Sequence, residues 1–570
     1  MRKKHELLGY TSMWLVAVLV LIALLAQSVG DARIVNYSGI VRGATQKLVK
    51  EELNGQRDDA LILRLDGIID NLQTGRGEYQ LNKSYSGAFQ TELAELKSLW
   101  SDMKTEIDRV RVGEAGGQVL FEMSQRHFEL ADRMVMSAEE YADTKLIVSI
   151  SFYLAVLLFS VVMLLSVLGG MDHILKDIAD KRRHLYWSMV DLTLVSLLAL
   201  SYTNDIFTGY VFIEICTIAS CALLSARDNG RSLIASARYM VFALVGSGLF
   251  LIGVIYTYSI TGHLLFPQLH ETIAALWADG TYRFSMTVAI GLMTAGLAIK
   301  SGLFPFHFWM PDTYGRATPA SSGILSGVVS KAYILLLIKI IYRAVGIEVF
   351  AASGIQSVLL LFGIAGMIVG SVSAIRAKRL TTMVAYSSAA QIGYIYMGLG
   401  MGTQAALLAA FLHIFSHALT KPMLFLSVSG LRDVSGGHKD FQSLQGAGHR
   451  NVTAGVLFTA GALSMVGVPL FIGFIPKLQF AQAAFSLTWQ KWPVLLALAI
   501  STLLNVLYFL YTAMVLWLPQ RDGCAYTVQK QAWYKAIPAV VLLAIGLVIG
   551  IHSAPLTALL QQGFALFCQY

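Results

Sequence analysis

The sequence predicts an all-α, polytopic membrane protein. It should hold about thirteen transmembrane helices at about 20 residues each, with two inverted repeats and broken helices, plus an extracytoplasmic helical bundle. Three observations carry this. Of the 570 residues, 56% are hydrophobic and only 14% charged, against about 25% charged in a soluble domain, and the mean hydropathy is +0.61. Apolar runs of membrane-spanning length recur from Leu146 to Ile551. Between Asp31 and Lys145 the composition changes: this stretch holds 20 of the chain's 35 acidic residues and is rich in helix formers.

In chain order, residues 1–30 read as a retained signal anchor and first transmembrane helix. Arg2, Lys3 and Lys4 precede an apolar run from Met13 to Val29, and Gln27-Ser28-Val29-Gly30 is a poor cleavage site. Residues 31–145 carry the periodicity of four amphipathic helices, Ile34–Leu53, Arg57–Leu72, Ala88–Val110 and Gly117–Thr144, with turns at Gly75-Arg76-Gly77 and from Gly113 to Gly117. Residues 146–184 comprise the span Leu146–Leu168 and a cytoplasmic linker. Residues 185–570 hold Leu185–Tyr202, Ile206–Leu224, Tyr239–Ile260, Phe284–Ile299, Ile324–Tyr342, Ile355–Ile375, Met383–Gly400 and Ala405–Ser429. An interrupted Val452–Leu487, then Pro493–Leu518 and Ile537–Ile551, complete the set. The Gly363, Gly366, Gly370 series predicts close helix packing.

Loop charge gives the orientation. With a cytoplasmic amino terminus, the loops Lys176-to-His184, Arg227-to-Arg238, Arg376-to-Arg379, Arg432-to-Arg450 and Arg521-to-Lys535 all fall inside, and all are basic. The acidic helical segment then lies outside, and the location expected is the bacterial cytoplasmic (plasma) membrane. The net charge of +8 follows from this topology and does not indicate nucleic acid. Cys216, Cys221, Cys524 and Cys568 form no C-x-x-C pair, so no iron–sulfur or zinc spacing is present. No phosphate-binding loop or dinucleotide fingerprint occurs. The expectation is a chain with no cofactor, metal or catalytic residue of its own, any redox or ATP chemistry belonging to another subunit.

Candidate functional residues are the titratable side chains inside apolar segments. An ionised group there costs about 2.5–3.5 kcal/mol or more, so it persists where paired, hydrated or functional. Glu214 stands midway along its helix, and Lys300 closes the run from Phe284. Opening and closing a Glu214–Lys300 pair would make the lysine release and take up a proton; a static ion pair is the alternative. Lys331 lies among Ser326, Gly327, Ser330 and Ala332. His413, His417 and Lys421 share one helix face at four-residue steps, which suits a proton relay; no acidic or cysteine ligand accompanies them to hold a metal. Lys477 follows Pro476 in a second interrupted helix. Paired breaks, at Pro305 and Pro311 beyond Lys300 and at Pro469 and Pro476 before Lys477, point to inverted repeats around a midplane ion site. His307, Asp312, Arg316, Asp433 and His438 read as loop residues, either solvated, the favoured reading, or at channel mouths, and Asp191 as a helix-end residue reaching the headgroups.

Longer motifs carry a resemblance. Lys300-Ser-Gly-Leu-Phe-Pro-Phe-His-Phe-Trp-Met-Pro-Asp312 and Ala317-Thr-Pro-Ala-Ser-Ser-Gly-Ile-Leu-Ser-Gly-Val-Val-Ser-Lys331 resemble the antiporter-like subunits of respiratory complex I. That family includes Mrp-type cation/proton antiporter subunits and the membrane arms of energy-converting hydrogenases. Leu412-His-Ile-Phe-Ser-His-Ala-Leu-Thr-Lys-Pro-Met-Leu-Phe425, Gly467-Val-Pro-Leu-Phe-Ile-Gly-Phe-Ile-Pro-Lys477 and Tyr210-Val-Phe-Ile-Glu214 extend it, from roughly Leu185 onward. The resemblance implies a proton or Na⁺/H⁺ translocating subunit of a multi-subunit complex. Glu214 and Lys300 would be the coupling pair, Lys331 the lateral link, His413, His417 and Lys421 the central axis, and Lys477 the terminal donor. At most the chain would be a subunit of a redox-driven, NADH:quinone oxidoreductase-like translocase. The family's first span is not evident, and no long lateral helix follows the last one, which favours the shorter subunits and the Mrp type.

Asn36-Tyr-Ser-Gly-Ile-Val-Arg-Gly-Ala-Thr-Gln-Lys-Leu48 resembles the extracytoplasmic four-helix sensor module of bacterial chemoreceptors, sensor kinases and diguanylate cyclases. Arg42 and Gln46 share a helix face there, open to a small anionic ligand or to solvent. Two other functions stay open: a membrane receptor whose membrane domain does not transport, and the membrane subunit of an inorganic-carbon uptake complex.

Overall fold

The computed structural model describes residues 32–75, 78, 79, 81, 87–114, 116–227, 229–519 and 533–567, with side chains for all but 143–153, 533, 534 and 565–567. The signal anchor over 1–30, the turn residues Arg76 and Gly77, most of the Arg521-to-Lys535 loop, Cys524 and Cys568 lie outside these residues. The described residues up to Ile150 form one compact unit and those from Ser151 onward a second.

The first unit consists of α1 (residues 32–53), α2 (Asp59–Thr74), α3 (Gly87–Val112) and the first part of α4 (Gly117–Asp177). Helices form over all four periodic stretches, but the fourth runs on past Thr144 to Asp177 instead of ending before a separate span. Their apolar residues recur at three, four and seven: Ile34, Val41 and Leu48 on α1, and Phe89, Leu93, Leu96, Trp100, Met103 and Ile107 on α3, all in one buried cluster. Asp58 caps α2 by accepting from the Leu61 amide at 2.9 Å. Arg111 pairs with Glu52 and with Asp59 (2.8 Å), and these hydrogen bonds raise its guanidinium further above its ordinary value. Arg42 pairs with Asp132, and Gln46 Nε2 donates to the Ser124 carbonyl at 2.7 Å. Both side chains of the shared face therefore meet α4.

The second unit is built of helices joined by short turns and loops, with no strand among its described residues. It runs through α5 (Asp180–Tyr202), α6 (Ile206–Ser225), α7 (Gly230–Thr261), α8 (Phe266–Asp279) and α9 (Arg283–Ser301). After a 3₁₀ turn at Phe306–Trp309 come α10 (Met310–Arg316), α11 (Pro319–Ile324), α12 (Ser330–Lys339), α13 (Ile347–Ala352), α14 (Ile355–Ile375), α15 (Leu380–Met401) and α16 (Gln404–Asp433). The chain ends in α17 (Ala447–Arg450), α18 (Val452–Val466), α19 (Phe474–Ala484), α20 (Lys491–Trp517), α21 (Trp533–Ile551) and α22 (Ser553–Phe567). Side-chain caps set several starts: Asp205 for α6, Asn229 for α7, Thr403 for α16 and Asn451 for α18.

Among the described residues nine helices are long and apolar enough to cross a membrane, or ten if the pair Lys535–Ile551 and Ser553–Phe564, bent by 77°, is one span. This is a multi-pass membrane protein. The expected span over Met383–Gly400 forms α15, whose buried Ser387, Ser388, Gln391, Tyr394 and Tyr396 make it less apolar than its neighbours. The interrupted Val452–Leu487 becomes α18 and α19, 15 and 11 residues long. The amphipathic α8 fills a stretch assigned no element from sequence and buries Phe266, Leu269 and Ile273.

Close packing follows the small residues. A Cβ on Gly370 would lie 2.6 Å from the Ala390 amide nitrogen, and one on Gly393 2.7 Å from the Gly363 carbonyl, so α14 and α15 pack backbone to backbone. Gly296 on α9 meets α7 in the same way, its Cβ position lying 2.7 Å from the Phe250 amide nitrogen. The helix α16 is the hub. Its most apolar stretch is wholly buried, packed against α11, α15, α18, α19 and α21.

Candidate functional site

The two helix breaks end on the same local geometry. At the end of α9, Gly302 (φ 82°) donates to the carbonyls of Ala298 at 3.0 Å and Ile299 at 3.2 Å, and Leu303 donates to Ala298 at 2.9 Å. At the end of α18, Gly467 (φ 92°) donates to Leu463 at 3.0 Å and Ser464 at 3.1 Å, and Val468 donates to Leu463 at 3.0 Å. A left-handed residue must end each helix this way, and only glycine adopts it without strain. The lysines differ in position: Lys300 precedes its break, whereas Lys477 follows its break on α19.

In the first half the structure brings Glu214 and Lys300 together. Lys300 Nζ lies 3.3 Å from Glu214 Oε1 and donates to Thr217 Oγ1 at 2.6 Å. The Ser247 hydroxyl donates to the same carboxylate oxygen. Lys300 is 1% exposed and Glu214 24%, so the pair has a buried and a more open end. Gly246 makes room for the lysine stem, since a Cβ there would lie 3.0 Å from Lys300 Cγ. The ammonium also sits 5.6 Å from the Tyr333 ring centre, and Tyr333 is two residues beyond Lys331 on α12.

Two π-helical segments, Leu325–Val329 and Ile340–Val345, flank α12. Such insertions leave backbone carbonyls out of the regular ladder. Lys331 donates to the Ser326 carbonyl within the first of them and to Ser330 Oγ at 3.0 Å. Gly327 in that segment faces Pro422 of α16, where its Cβ would lie 2.6 Å from Pro422 Cγ.

On α16, Lys421 donates to the Val384 carbonyl at 3.0 Å and to Ser387 Oγ, both on α15. Among the described residues, neither ring nitrogen of His413 or of His417 has a hydrogen-bond partner, although both residues are buried. His417 is in electrostatic range of Lys331, Lys421 and His413, and His413 of Lys477 and Lys331. Lys477 donates to the last carbonyls of α18, Met465 and Val466, each at 2.8 Å, where the helix dipole favours a cation. The seven residues therefore fall into a pair, Glu214–Lys300, and a cluster, Lys331, His417, Lys421, His413 and Lys477, with Tyr333 beside Lys300 on the helix that carries Lys331.

Several participants escaped the sequence reading. Tyr394 is stacked on His413 (ring centres 5.2 Å apart) and carries Lys477 over its ring at 5.2 Å. Asn505 Nδ2 donates to the Tyr394 hydroxyl at 3.4 Å. Gln391 is buried on α15. Lys339 is buried eight residues after Lys331 and donates to the carbonyls of Ser201 (2.9 Å) and Thr203. The rule that flagged Lys331, a cation in an apolar run, would have found it.

Some expectations need correction. His307 is 1% exposed rather than solvated: the 3₁₀ turn after the break folds its ring against Phe308 (4.5 Å) and Tyr386 (6.4 Å). Asp312 is paired with Arg238 and, at 3.1 Å, with Arg316. Asp433 is the last residue of α16 and lies 3.4 Å from His173 Nε2. Asp191 stands midway along α5, because that helix begins eleven residues earlier at Asp180.

Residues 203–505 match the family described as NADH:quinone oxidoreductase/Mrp antiporter, TM. The chain is 33% identical over 327 residues to the NADH-quinone oxidoreductase subunit N of Desulforudis audaxviator, covering 57% of this chain and 63% of that protein. It thus spans less than two thirds of that relative. It is 27% identical to a subunit of the Na(+)/H(+) antiporter of Alkalihalophilus pseudofirmus, over 66% of this chain and 75% of that protein. Among solved structures, a chain of the membrane-bound sulfane sulfur reductase, an archaeal respiratory membrane complex, superposes with a TM-score of 0.65 at 27% identity, covering 74% of this chain and 82% of its own. A chain of the Mrp complex from a Dietzia species gives a TM-score of 0.65 at 24% identity, covering 73% and 84%, and shares the fold.

Proposed function

The chain belongs to the NADH:quinone oxidoreductase/Mrp antiporter family, and on that premise we propose that it translocates protons, or exchanges Na⁺ for H⁺, as a membrane subunit of a larger complex I-, Mrp- or hydrogenase-like assembly. The observation that carries this is the buried Glu214–Lys300 pair at 3.3 Å, followed on the next helices by a cluster of lysines and unpaired imidazoles. Glu214 and Lys300 act as the coupling pair. Separation of the two side chains leaves the ammonium in a low-dielectric site, where it gives up its proton; closure restores it. Lys331 passes charge laterally, His417, Lys421 and His413 carry it along α16, and Lys477 releases it. Buried imidazoles with no protein partner call for water, and water supplies the links between side chains that do not touch. The driving reaction belongs to partner subunits. The remaining assignments are about thirteen spans, a cytoplasmic amino terminus in a bacterial plasma membrane, and an extracytoplasmic bundle; the basic loops support them.

The test is driven proton movement in inverted vesicles containing the whole assembly, with each of the seven residues replaced in turn. Loss of transport with retained assembly is expected. Wild-type transport in both Glu214→Gln and Lys300→Ala would remove the mechanism.

A second reading adds regulation by the amino-terminal bundle. It is favoured by the packing of the membrane part of α4. A Cβ on Gly170 would lie 2.9 Å from the Ala320 amide nitrogen, Gly169 faces Leu426 of α16, and Ser166 Oγ lies 3.0 Å from the Cβ position of Gly323. This stretch thus touches α11, which leads into the segment of Lys331, and α16, which carries Lys421. A ligand-induced shift of α4 would bear on both lysines. Gly170→Leu is expected to change the transport rate at constant assembly; an unchanged rate would leave the bundle without this route.

A further inference from the structure

A second cluster of charge lies away from the proton-carrying residues. Turns between α6 and α7, α10 and α11, α14 and α15, and the loop after α16 surround a cleft of about 370 Å³ lined by Arg227, Arg231, Arg316, Arg379, Lys439 and Asp440, among others. Two of its cations are matched by carboxylates: Arg227 pairs with Asp177 at 3.0 Å and Arg316 with Asp312 at 3.1 Å. The lining carboxylate, Asp440, is engaged elsewhere, accepting from the Ser443 amide at 3.0 Å and hydroxyl at 2.7 Å. Among the described residues, Arg231, Arg379 and Lys439 have no carboxylate within ion-pair distance.

The cleft is built rather than a random scatter of surface charge. Arg379 and Asp440 form a backbone bridge, and the Leu380 amide donates to the Lys439 carbonyl at 2.9 Å. Lys439 Nζ donates to the Gly315 carbonyl at 2.8 Å, and Arg227 and Arg316 each donate to carbonyls across the cleft, those of Arg316 at 3.1 Å and Arg231 at 3.2 Å. Burial, then Arg432, Arg227 and Arg379, lowers the Lys439 ammonium to about 8. Topology accounts for basic loops, but dispersed loop charge would satisfy it equally well. Convergence of unmatched cations on one concave site costs repulsion that an anion relieves.

We propose that this cleft binds a phosphate-bearing anion, the shared chemistry of an acidic phospholipid headgroup and a soluble phosphate. Guanidinium pairs suit such a ligand because they grip phosphate oxygens bidentately. Bound there, it would tie together the ends of α6, α10, α15 and α16, the helices or helix neighbours that carry Glu214, Lys300, Ser387 and His417. The site is independent of the proton-path reading and stands or falls by binding alone.

The experiment uses the full chain purified in an uncharged detergent. One arm adds phosphatidylglycerol or phosphatidylcholine and counts bound lipid by native mass spectrometry; the other titrates inorganic pyrophosphate calorimetrically. Binding of phosphatidylglycerol alone assigns a headgroup, and binding of pyrophosphate alone assigns a soluble anion. The double variant Arg231→Gln/Arg379→Gln is expected to weaken the binding at least tenfold while melting like the wild type, and the nearby Lys378→Gln to leave it unchanged. A readout on the unaltered chain accompanies these: reductive methylation of Lys439, followed by peptide mass spectrometry, should slow at least fivefold with the bound anion. The proposal is overturned if neither probe binds, if the double variant binds as the wild type does, or if Lys439 labelling is indifferent to the anion.

Discussion

Replacing Glu214 by Gln removes the charge opposite Lys300 while keeping an oxygen that accepts a hydrogen bond. The pair distance is 3.3 Å, so at an effective dielectric constant of about 20 the attraction is about 5 kcal/mol. Removing one member of a buried pair costs about 3–5 kcal/mol, because the other charge is left unmatched. Lys300 keeps its 2.6 Å hydrogen bond to Thr217, which offsets a small part. At about 1.4 kcal/mol per decade, transport that requires the charged pair should fall by about two to four decades. The assay is fluorescent-dye detection of proton uptake into inverted vesicles bearing the complete assembly, normalised to the amount of this chain. Glu214→Asp should retain a measurable fraction. More than half the wild-type rate in Glu214→Gln, at equal assembly, would refute the idea that this pair couples the transport.

Other consequences are equally direct. Lys477→Met should stop transport and leave the Met465 and Val466 carbonyls without their 2.8 Å donor, whereas Lys477→Arg should keep part of the activity; equal activity in both would place the path elsewhere. Gly296→Leu would drive a side chain into the α7 backbone beside Phe250 and should destabilise the second unit by about 1–3 kcal/mol, seen as a lower melting temperature in detergent. His127 is fully buried in the first unit, 6.1 Å from Trp100 between ring centres, and burial lowers its imidazole from 6.5 to about 4. The unfolded chain then binds more protons between those values, so bundle stability should fall by about 3 kcal/mol as pH drops from 6.5 to 4. Hydrogen exchange of residues 32–142 in the full chain would show this, and His127→Phe should flatten the dependence. Deleting Ile34–Asp143 should leave the transport domain in the membrane; loss of the whole protein would argue against a modular bundle.

Legibility from sequence followed the physics of each signal. The bundle helices were readable because apolar residues recur at helical spacing with a polar remainder, and the membrane helices because length and hydropathy coincide. Glu214 and Lys300 stood out because a charge in an apolar run is expensive, and their contact joins residues 86 positions apart through the Gly246 and Gly296 packing of α7 on α9. That packing was not readable, since neither glycine belongs to a regular series like Gly363, Gly366 and Gly370. The π-helical turns around α12 had no signature, because nothing in Leu325–Val329 or Ile340–Val345 departs from an ordinary apolar helical run. Tyr394 was missed because an aromatic in an apolar helix is ordinary until His413 and Lys477 are placed against its ring. His307 was misread as solvated because Pro305 and Pro311 suggest an exposed loop, whereas the turn they bound packs inward.

The central claim is that the Glu214–Lys300 pair and the cluster from Lys331 to Lys477 belong to one wetted route. An electron cryo-microscopy map of the assembly, at a resolution that shows individual waters, tests it most directly. Ordered waters on the ring nitrogens of His413 and His417, continuing toward Lys331, Lys421 and Lys477, are the expected result. Dry apolar packing around both imidazoles, with no water between the two halves, would contradict it.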